Sequence, residues 1–153
     1  MTRNITRLQF AELIVNLTEK ITGKTIRPAP VDTFTDCTDT DVLKAYAAGI
    51  VNGIDINKFA PNTTASREQI TVMLARAIDY IETETDKSYT SAAPDTSKYV
   101  DWNQVSVWAA DDVALLAANG IINGTSDTTL SPKAFCTVEQ CVLLIYRFFT
   151  MAA

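Results

Sequence analysis

The sequence predicts an all-α domain built from repeated helical units. The segment Gly49–Gly53 (GIVNG) recurs as Gly120–Gly124 (GIING), 71 residues further along the chain. Between residues 42–76 and 113–147, 10 of 35 aligned positions are identical without a gap. Apolar residues with helical spacing follow each repeat, and a hydroxyl residue precedes each apolar stretch. A fixed internal period indicates units that bury their apolar faces on one another.

Three long helices are predicted at about 6–22, 66–83 and 137–151. In each, apolar residues recur at intervals of three and four, which is one stripe of an amphipathic helix. A hydroxyl side chain before the stripe can cap the first free backbone N–H groups. The three capping residues are Thr6, Ser66 and Thr137.

Two shorter helices are predicted before the second and third long helices, at about 40–48 and 106–119. They end at Gly49 and Gly120, which suit the left-handed position after a helix. The second glycine of each repeat is Gly53 or Gly124. A turn that needs a positive φ accounts for a glycine there without any ligand; alternatively, the glycine lines a groove.

Composition excludes several classes of function. The net charge is −5 with no basic block, which argues against a nucleic-acid partner. The chain has no apolar run near the roughly 20 residues that a membrane span needs. Histidine is absent, which removes the commonest general base and most zinc sites. No catalytic residue, metal site or cofactor is therefore predicted, and the three cysteines are interpreted as small buried hydrophobic residues.

Both full repeats follow one order of residues. The last has Tyr99-Val100-Asp101, then Trp108-Ala109, Gly120-Ile121, Leu130-x-Pro132 and Thr137-Val138-Glu139. The middle has Phe34-Thr35-Asp36, then Gly49-Ile50, Phe59-Ala60-Pro61 and Ser66-Arg67-Glu68, and the first retains only Ile5-Thr6-Arg7. This pattern resembles the S-layer homology (SLH) motif. The resemblance divides a single domain, 1–153, into a half motif (1–23) and two full motifs (32–84 and 98–153).

The resemblance implies a pseudo-three-fold fold with three long central helices and short helix–loop prongs. It implies a non-enzymatic module whose inter-motif grooves bind secondary cell-wall polysaccharide, often carrying a pyruvate ketal. Such a module holds a protein on the outside of a bacterial cell, so we expect an extracellular, cell-wall location. The N-terminus, Met1–Asn4, lacks the apolar stretch of a signal peptide.

Eight residues are predicted to contact that ligand. An arginine at a helix N-terminus suits an anionic ketal carboxylate, and a nearby glycine lets a sugar approach the backbone closely. Trp108 is open to two interpretations, core packing or a platform for sugar stacking. Trp102 is expected at the surface or groove rim. The predicted ligand residues are Arg7, Arg67, Gln9, Gln69, Gly53, Gly124, Trp108 and Trp102.

Departures from the motif favour an alternative, a protein-interaction module on the same scaffold. Val138 replaces the third arginine, Leu8 replaces the glutamate of the first copy, and half of the first motif is absent. The partner would then be a target of inhibition, an immunity-type partner or an assembly subunit. The missing half motif also leaves an apolar flank that could self-associate. A hydrolase is the weakest hypothesis, because no nucleophile motif is present.

Overall fold

Five α-helices account for most of the ordered secondary structure. A computed structural model describes residues 3–152; Met1, Thr2 and Ala153, at the ends of the predicted half motif and last motif, lie outside the described residues. The helices are α1 (Arg7–Thr22), α2 (Thr40–Ala47), α3 (Arg67–Thr85), α4 (Ala110–Ala118) and α5 (Val138–Ala152). Within 3–152 there is no β-sheet, only isolated bridges. The all-α prediction is confirmed.

Each long helix begins as the sequence predicts, at its hydroxyl cap. The cap oxygen accepts from the backbone N–H of a glutamine three residues on, and the glutamine side chain accepts from the cap N–H in return. This reciprocal pair is a capping box, and it satisfies two otherwise free donors. The cap and glutamine pairs are Thr6 with Gln9, Ser66 with Gln69, and Thr137 with Gln140.

The short helices also end as predicted, but one begins differently. Gly49 and Gly120 have φ of 77° and 70°, in the left-handed region that glycine tolerates. The predicted helix at 106–119 starts as a 3-10 turn, Val107–Ala109, and continues as α4. Helix α3 continues to Thr85, and Tyr89 in the segment after it packs against Phe148 at 5.3 Å between ring centroids.

Helix α1 is the most central of the three long helices. Helix α1 packs against both α3 and α5, whereas the Cα atoms of α3 and α5 stay more than 8 Å apart within the described part of the chain. Helix α2 covers one side of α1, and α4 covers the matching side of α3. No short helix of the described chain covers α5 in the same way. The described part of the chain therefore has an opening between α3 and α5 and a bare side on α5.

A ring of backbone hydrogen bonds joins the three motifs at the N-terminal ends of the long helices. The first amide of α1, at Arg7, donates to Thr63 O at 2.9 Å, and that of α3, at Arg67, donates to Ala134 O at 2.8 Å. The first amide of α5, at Val138, donates to Arg3 O at 2.8 Å and closes the ring. Each helix start is thus fixed against the loop of another motif. None of the helices within 3–152 combines the length and apolarity that a membrane crossing requires.

Candidate functional site

Two grooves of the same design lie between the motifs. Groove 1 has a volume of about 480 Å³ and runs from the start of α1 to the middle motif. Groove 2 has a volume of about 300 Å³ and runs from the start of α3 to the last motif. Equivalent residues line both. In groove 1 they are Arg7, Asn52, Gly53, Gln69, Val72, Met73 and Arg76, and in groove 2 they are Arg67, Asn123, Gly124, Gln140, Leu143, Leu144 and Arg147.

Arg7 holds the wall of groove 1 together. Its Nε donates to Phe59 O at 2.9 Å, its Nη2 donates to Asn52 O at 3.3 Å, and its guanidinium lies 4.7 Å from the centre of the Phe59 ring. Burial lowers the pKa of Arg7, while Asp36 acts to raise it. A guanidinium has five N–H donors, so these two bonds leave donors that can face the groove.

Arg67 repeats this arrangement in groove 2. Its Nε donates to Leu130 O at 3.0 Å and its Nη2 donates to Asn123 O at 2.8 Å. Arg67 is less buried than Arg7. Both predicted arginines therefore hold the loop of the next motif in addition to lining a groove.

The helix N-termini offer few free donors to an anion. In α1 and α3 the first two amides donate to carbonyl groups of the neighbouring loop, and the third donates to the cap side chain. The four amides that a helix start normally leaves unpaired are thus largely used. A ligand in either groove must be recognised by side chains rather than by helix-end amides.

Gly53 and Gly124 are required by close backbone approach, and the expected positive φ is wrong. Positive φ among the glycines occurs at Gly23, Gly49 and Gly120. A Cβ on Gly53 would lie 2.5 Å from Lys58 O, and one on Gly124 would lie 2.1 Å from Thr129 O. Both distances are too short for any side chain, so these glycines close the loops that form one wall of each groove.

An aspartate fixes the turn beyond each loop. Asp36 accepts from Phe59 N and Ala60 N, each at 2.9 Å. Asp101 accepts from Leu130 N at 3.0 Å and Ser131 N at 2.8 Å. The second residue of each turn, Ala60 or Ser131, has a positive φ of 60° or 51°. The carboxylate therefore stabilises a backbone conformation that these residues rarely adopt.

The pKa values of both aspartates lie below their usual value. The Phe59 amide is the main cause at Asp36. At Asp101 burial acts to raise the pKa, but the amides of Leu130 and Ser131 outweigh it.

The two tryptophans occupy different positions. Trp108 is 58% exposed and lines groove 1, which excludes the core-packing interpretation. Trp102 is half-buried against the core and is not among the residues that line groove 1 or groove 2. Groove 1 thus combines three motifs, with its aromatic side chain supplied by the last one.

The predicted glutamines separate in the same way. Gln69 lines groove 1, whereas Gln9 lines neither groove. Gln140, which has the same capping role, lines groove 2 and was not among the predicted ligand residues.

Arg76 and Arg147 are further groove residues that the sequence analysis did not select. Arg147 donates to Gly120 O at 3.3 Å in groove 2. Arg76 makes no hydrogen bond to the described part of the chain. Its charge lies near Asp112: burial raises the pKa of Asp112, and the positive charge of Arg76 partly offsets that rise. Their 71-residue spacing shows that they occupy equivalent positions in the two motifs. Because they lie far from the helix N-termini, however, the sequence did not indicate that they line the grooves.

Glu68 joins α3 to the last motif instead of capping its own helix. It accepts from Ser106 N at 2.8 Å and Ser106 Oγ at 2.7 Å, and it pairs with Lys133. Burial acts to raise the pKa of Glu68, but Lys133 and Ser106 outweigh it and the pKa lies below its usual value. This network positions the start of the segment that carries Trp108.

Comparison with known proteins identifies two segments. The family model described as the S-layer homology domain matches residues 38–71 and 98–139, which lie inside the two full motifs predicted from the sequence. The chain is 33% identical over 105 residues to an endoglucanase of Bacillus sp. (strain KSM-635), covering 69% of this chain and 11% of that protein.

Two further relatives carry different names. An exoglucanase XynX of Acetivibrio thermocellus is 28% identical over 153 residues, covering 94% of this chain and 13% of that protein. A surface-layer 125 kDa protein of Lysinibacillus sphaericus is 28% identical over 102 residues, covering 65% of this chain and 8% of that protein. The chain thus spans only a small fraction of the length of these relatives.

Proposed function

We propose that this chain, which carries S-layer homology motifs, is a binding module that anchors a protein to the bacterial cell wall by holding an anionic wall polysaccharide in groove 1. An S-layer homology domain is a binding module and has no catalytic role of its own. The observation that carries the proposal is the repeated groove design, in which arginine, glutamine and loop backbone converge twice on an open channel.

The relatives support an anchoring role. Two are named as glucanases and one as a surface-layer protein, and each matches this chain over a small part of its length. A short segment shared by proteins with such different names is expected of a portable attachment module. We infer a cell-surface location for this chain on the same ground.

Groove 1 is the better candidate for the ligand site. Its Trp108 can stack on a sugar ring, since an exposed indole offers a flat apolar face. Arg76 and the remaining donors of Arg7 supply positive charge, which suits the carboxylate of a pyruvate ketal. Gln69 and the backbone beside Gly53 complete the polar lining. In groove 2, Arg67, Gly124 and Gln140 offer similar groups without an aromatic side chain.

A binding assay on purified cell-wall sacculi tests this proposal. We expect Trp108→Ala and Arg76→Gln each to weaken binding by about tenfold, the loss that corresponds to about 1.4 kcal/mol. The matched control is Arg147→Gln, because Arg147 is the equivalent of Arg76 in groove 2; its effect should stay within about twofold. Sacculi whose acid-labile ketals have been hydrolysed should bind weakly.

Three outcomes would contradict the proposal. Absence of binding by the unmodified chain would exclude the polysaccharide. Equal losses for Arg76→Gln and Arg147→Gln would exclude groove 1 as the main site. Binding that survives removal of the ketals would exclude the pyruvate group as the recognised anion.

The bare side of α5 favours a second candidate function, a protein-interaction module that self-associates. The repeat aligns Val142 and Tyr146 of α5 with Thr71 and Ala75 of α3. The α3 residues are buried, whereas Val142 and Tyr146 are 46% and 63% exposed. Two further large apolar side chains at the start of α5, Phe135 and Leu143, are also exposed, and exposed apolar surface of this kind binds proteins.

Sedimentation at increasing concentration tests self-association. We expect a shift from monomer to dimer as the α5 sides of two copies pack together. Val142→Lys should abolish the shift, because it adds a charge to the apolar surface. Val107→Lys is the matched control, since Val107 is exposed far from α5 in the chain and should leave the shift unchanged. A monomer at every concentration would exclude this function.

A further inference from the structure

Each of the three long helices has the same pair of apolar positions at its start, which fixes the direction in which the chain enters the helix. In each, the residue before the cap and the fourth helical residue are both buried, the arrangement called a hydrophobic staple. The first two staples pair Ile5 with Phe10 and Ala65 with Ile70. The third pairs two cysteines, Cys136 and Cys141, which we call the thiol pair.

The thiol pair lies at the edge of groove 2. Their positions, immediately before the cap and four residues into α5, set the two side chains next to each other in the staple geometry. Arg67 Nη1 lies 3.9 Å from Cys136 Sγ, and Cys136 is among the residues that line the groove. Cys141 is fully buried behind it. One sulfur is thus next to an open channel and a positive charge, and the second sulfur is next to the first.

These surroundings favour the thiolate of Cys136. The interaction with Cys141 and the positive charge of Arg67 lower the pKa of Cys136 to about 7, although burial acts against them. Cys141 shifts in the opposite direction, because Cys136 and burial raise its pKa. The third cysteine, Cys37, is also buried, and burial raises its pKa. No lysine or arginine acts to lower the pKa of Cys37. Thiolates are the reactive form in disulfide exchange, so Cys136 is expected to react first.

We propose that the thiol pair is a site of reversible oxidation, in which a small disulfide converts Cys136 and Cys141 into an intramolecular disulfide. The Cys136 thiolate attacks one sulfur of oxidised glutathione, forms a mixed disulfide and releases one glutathione thiolate. Cys141 then loses its proton and attacks Cys136 Sγ, which releases the second glutathione thiolate. The protein loses two protons and two electrons, and one oxidised glutathione becomes two reduced ones.

Peptide mass analysis after incubation with oxidised glutathione tests this proposal. Cleavage after Lys133 and Arg147 places both members of the thiol pair in one peptide, 134–147, and Cys37 in another. We expect the peptide 134–147 to become lighter by two hydrogen atoms, while Cys37 remains free for alkylation in denaturant. The proposal is overturned if all three cysteines remain free, or if Cys37 is modified before the thiol pair.

Variants separate the two steps. Cys141→Ser should stop the reaction at the mixed disulfide, so that Cys136 keeps one glutathionyl group. Cys136→Ser should leave Cys141 unmodified, and modification of Cys141 at the unaltered rate would contradict the assigned order. Arg67→Gln should slow the first step by about tenfold, because less Cys136 is ionised at neutral pH. Arg67→Lys keeps the charge and should restore most of the rate; equal rates for the two Arg67 variants would remove Arg67 from the site.

Discussion

Replacing Phe59 with alanine is expected to lower the free energy of unfolding by about 3–5 kcal/mol, the range for deletion of a fully buried aromatic ring. Phe59 is completely buried, and its ring packs against the Phe34 ring at 5.5 Å between centroids. The same ring lies under the Arg7 guanidinium. The substitution therefore leaves a cavity and also removes the apolar support of the arginine that forms the wall of groove 1.

Denaturant unfolding of matched variants measures this effect. Phe135→Ala is the control, because Phe135 is 55% exposed and its loss should cost less than about 1 kcal/mol. Phe59→Leu fills most of the cavity but loses the aromatic face, so its loss should lie between those of the two alanine variants. If Phe59→Ala is no more destabilising than Phe135→Ala, the ring does not support the Arg7 clamp.

Replacing Asp101 with asparagine is expected to lower the free energy of unfolding by about 1–3 kcal/mol, the cost of leaving a buried amide without its acceptor. The two Asp101 carboxylate oxygens accept from Leu130 N and Ser131 N. An asparagine keeps one acceptor oxygen but turns an NH₂ group toward the second amide, so one of these donors loses its partner. Because Ser131 has a positive φ, the turn also loses the bond that holds it in an unfavourable conformation.

The pH dependence of stability tests whether the ionised carboxylate of Asp101 stabilises the turn. Since the pKa of Asp101 is lower in the folded chain than its ordinary value of 3.8, the carboxylate stabilises the fold fully above that value. This contribution is lost as pH falls through the lower, folded pKa. The difference in stability between the unmodified chain and Asp101→Asn should therefore shrink below about pH 4.

Asp127→Asn is the matched control for Asp101→Asn. Asp127 lies in the loop that carries Leu130 and Ser131 but is exposed, and the substitution should change stability by less than about 0.5 kcal/mol at any pH. A constant difference between the unmodified chain and Asp101→Asn from neutral to acidic pH would mean that the Asp101 carboxylate does not carry the turn.

The sequence was sufficient where local chemistry decides the structure. The caps Thr6, Ser66 and Thr137 and the terminal glycines Gly49 and Gly120 bounded the helices, because each satisfies backbone groups a few residues away. The 71-residue period also established that the motifs repeat.

Groove residues were harder to assign because they meet across motifs. The repeat gave Arg76 and Arg147 the same spacing as Gln69 and Gln140, but spacing does not reveal which side of a helix faces a neighbouring loop. The sequence places Arg7 and Arg67 at helix starts, where an arginine suits an anionic ligand. Their hydrogen bonds to carbonyl groups more than 40 residues away were not visible in the sequence.

The sequence by itself determined the helices and their caps, since these depend on contacts within a few residues. Only the tertiary structure decided that Gly53 and Gly124 serve close backbone approach, that Glu68 reaches Ser106, and that Trp108 lies in groove 1. It also decided that no short helix of the described chain covers α5. The physical reason is that these features depend on how separate motifs pack together, and a repeat pattern specifies each motif without specifying what its neighbour covers.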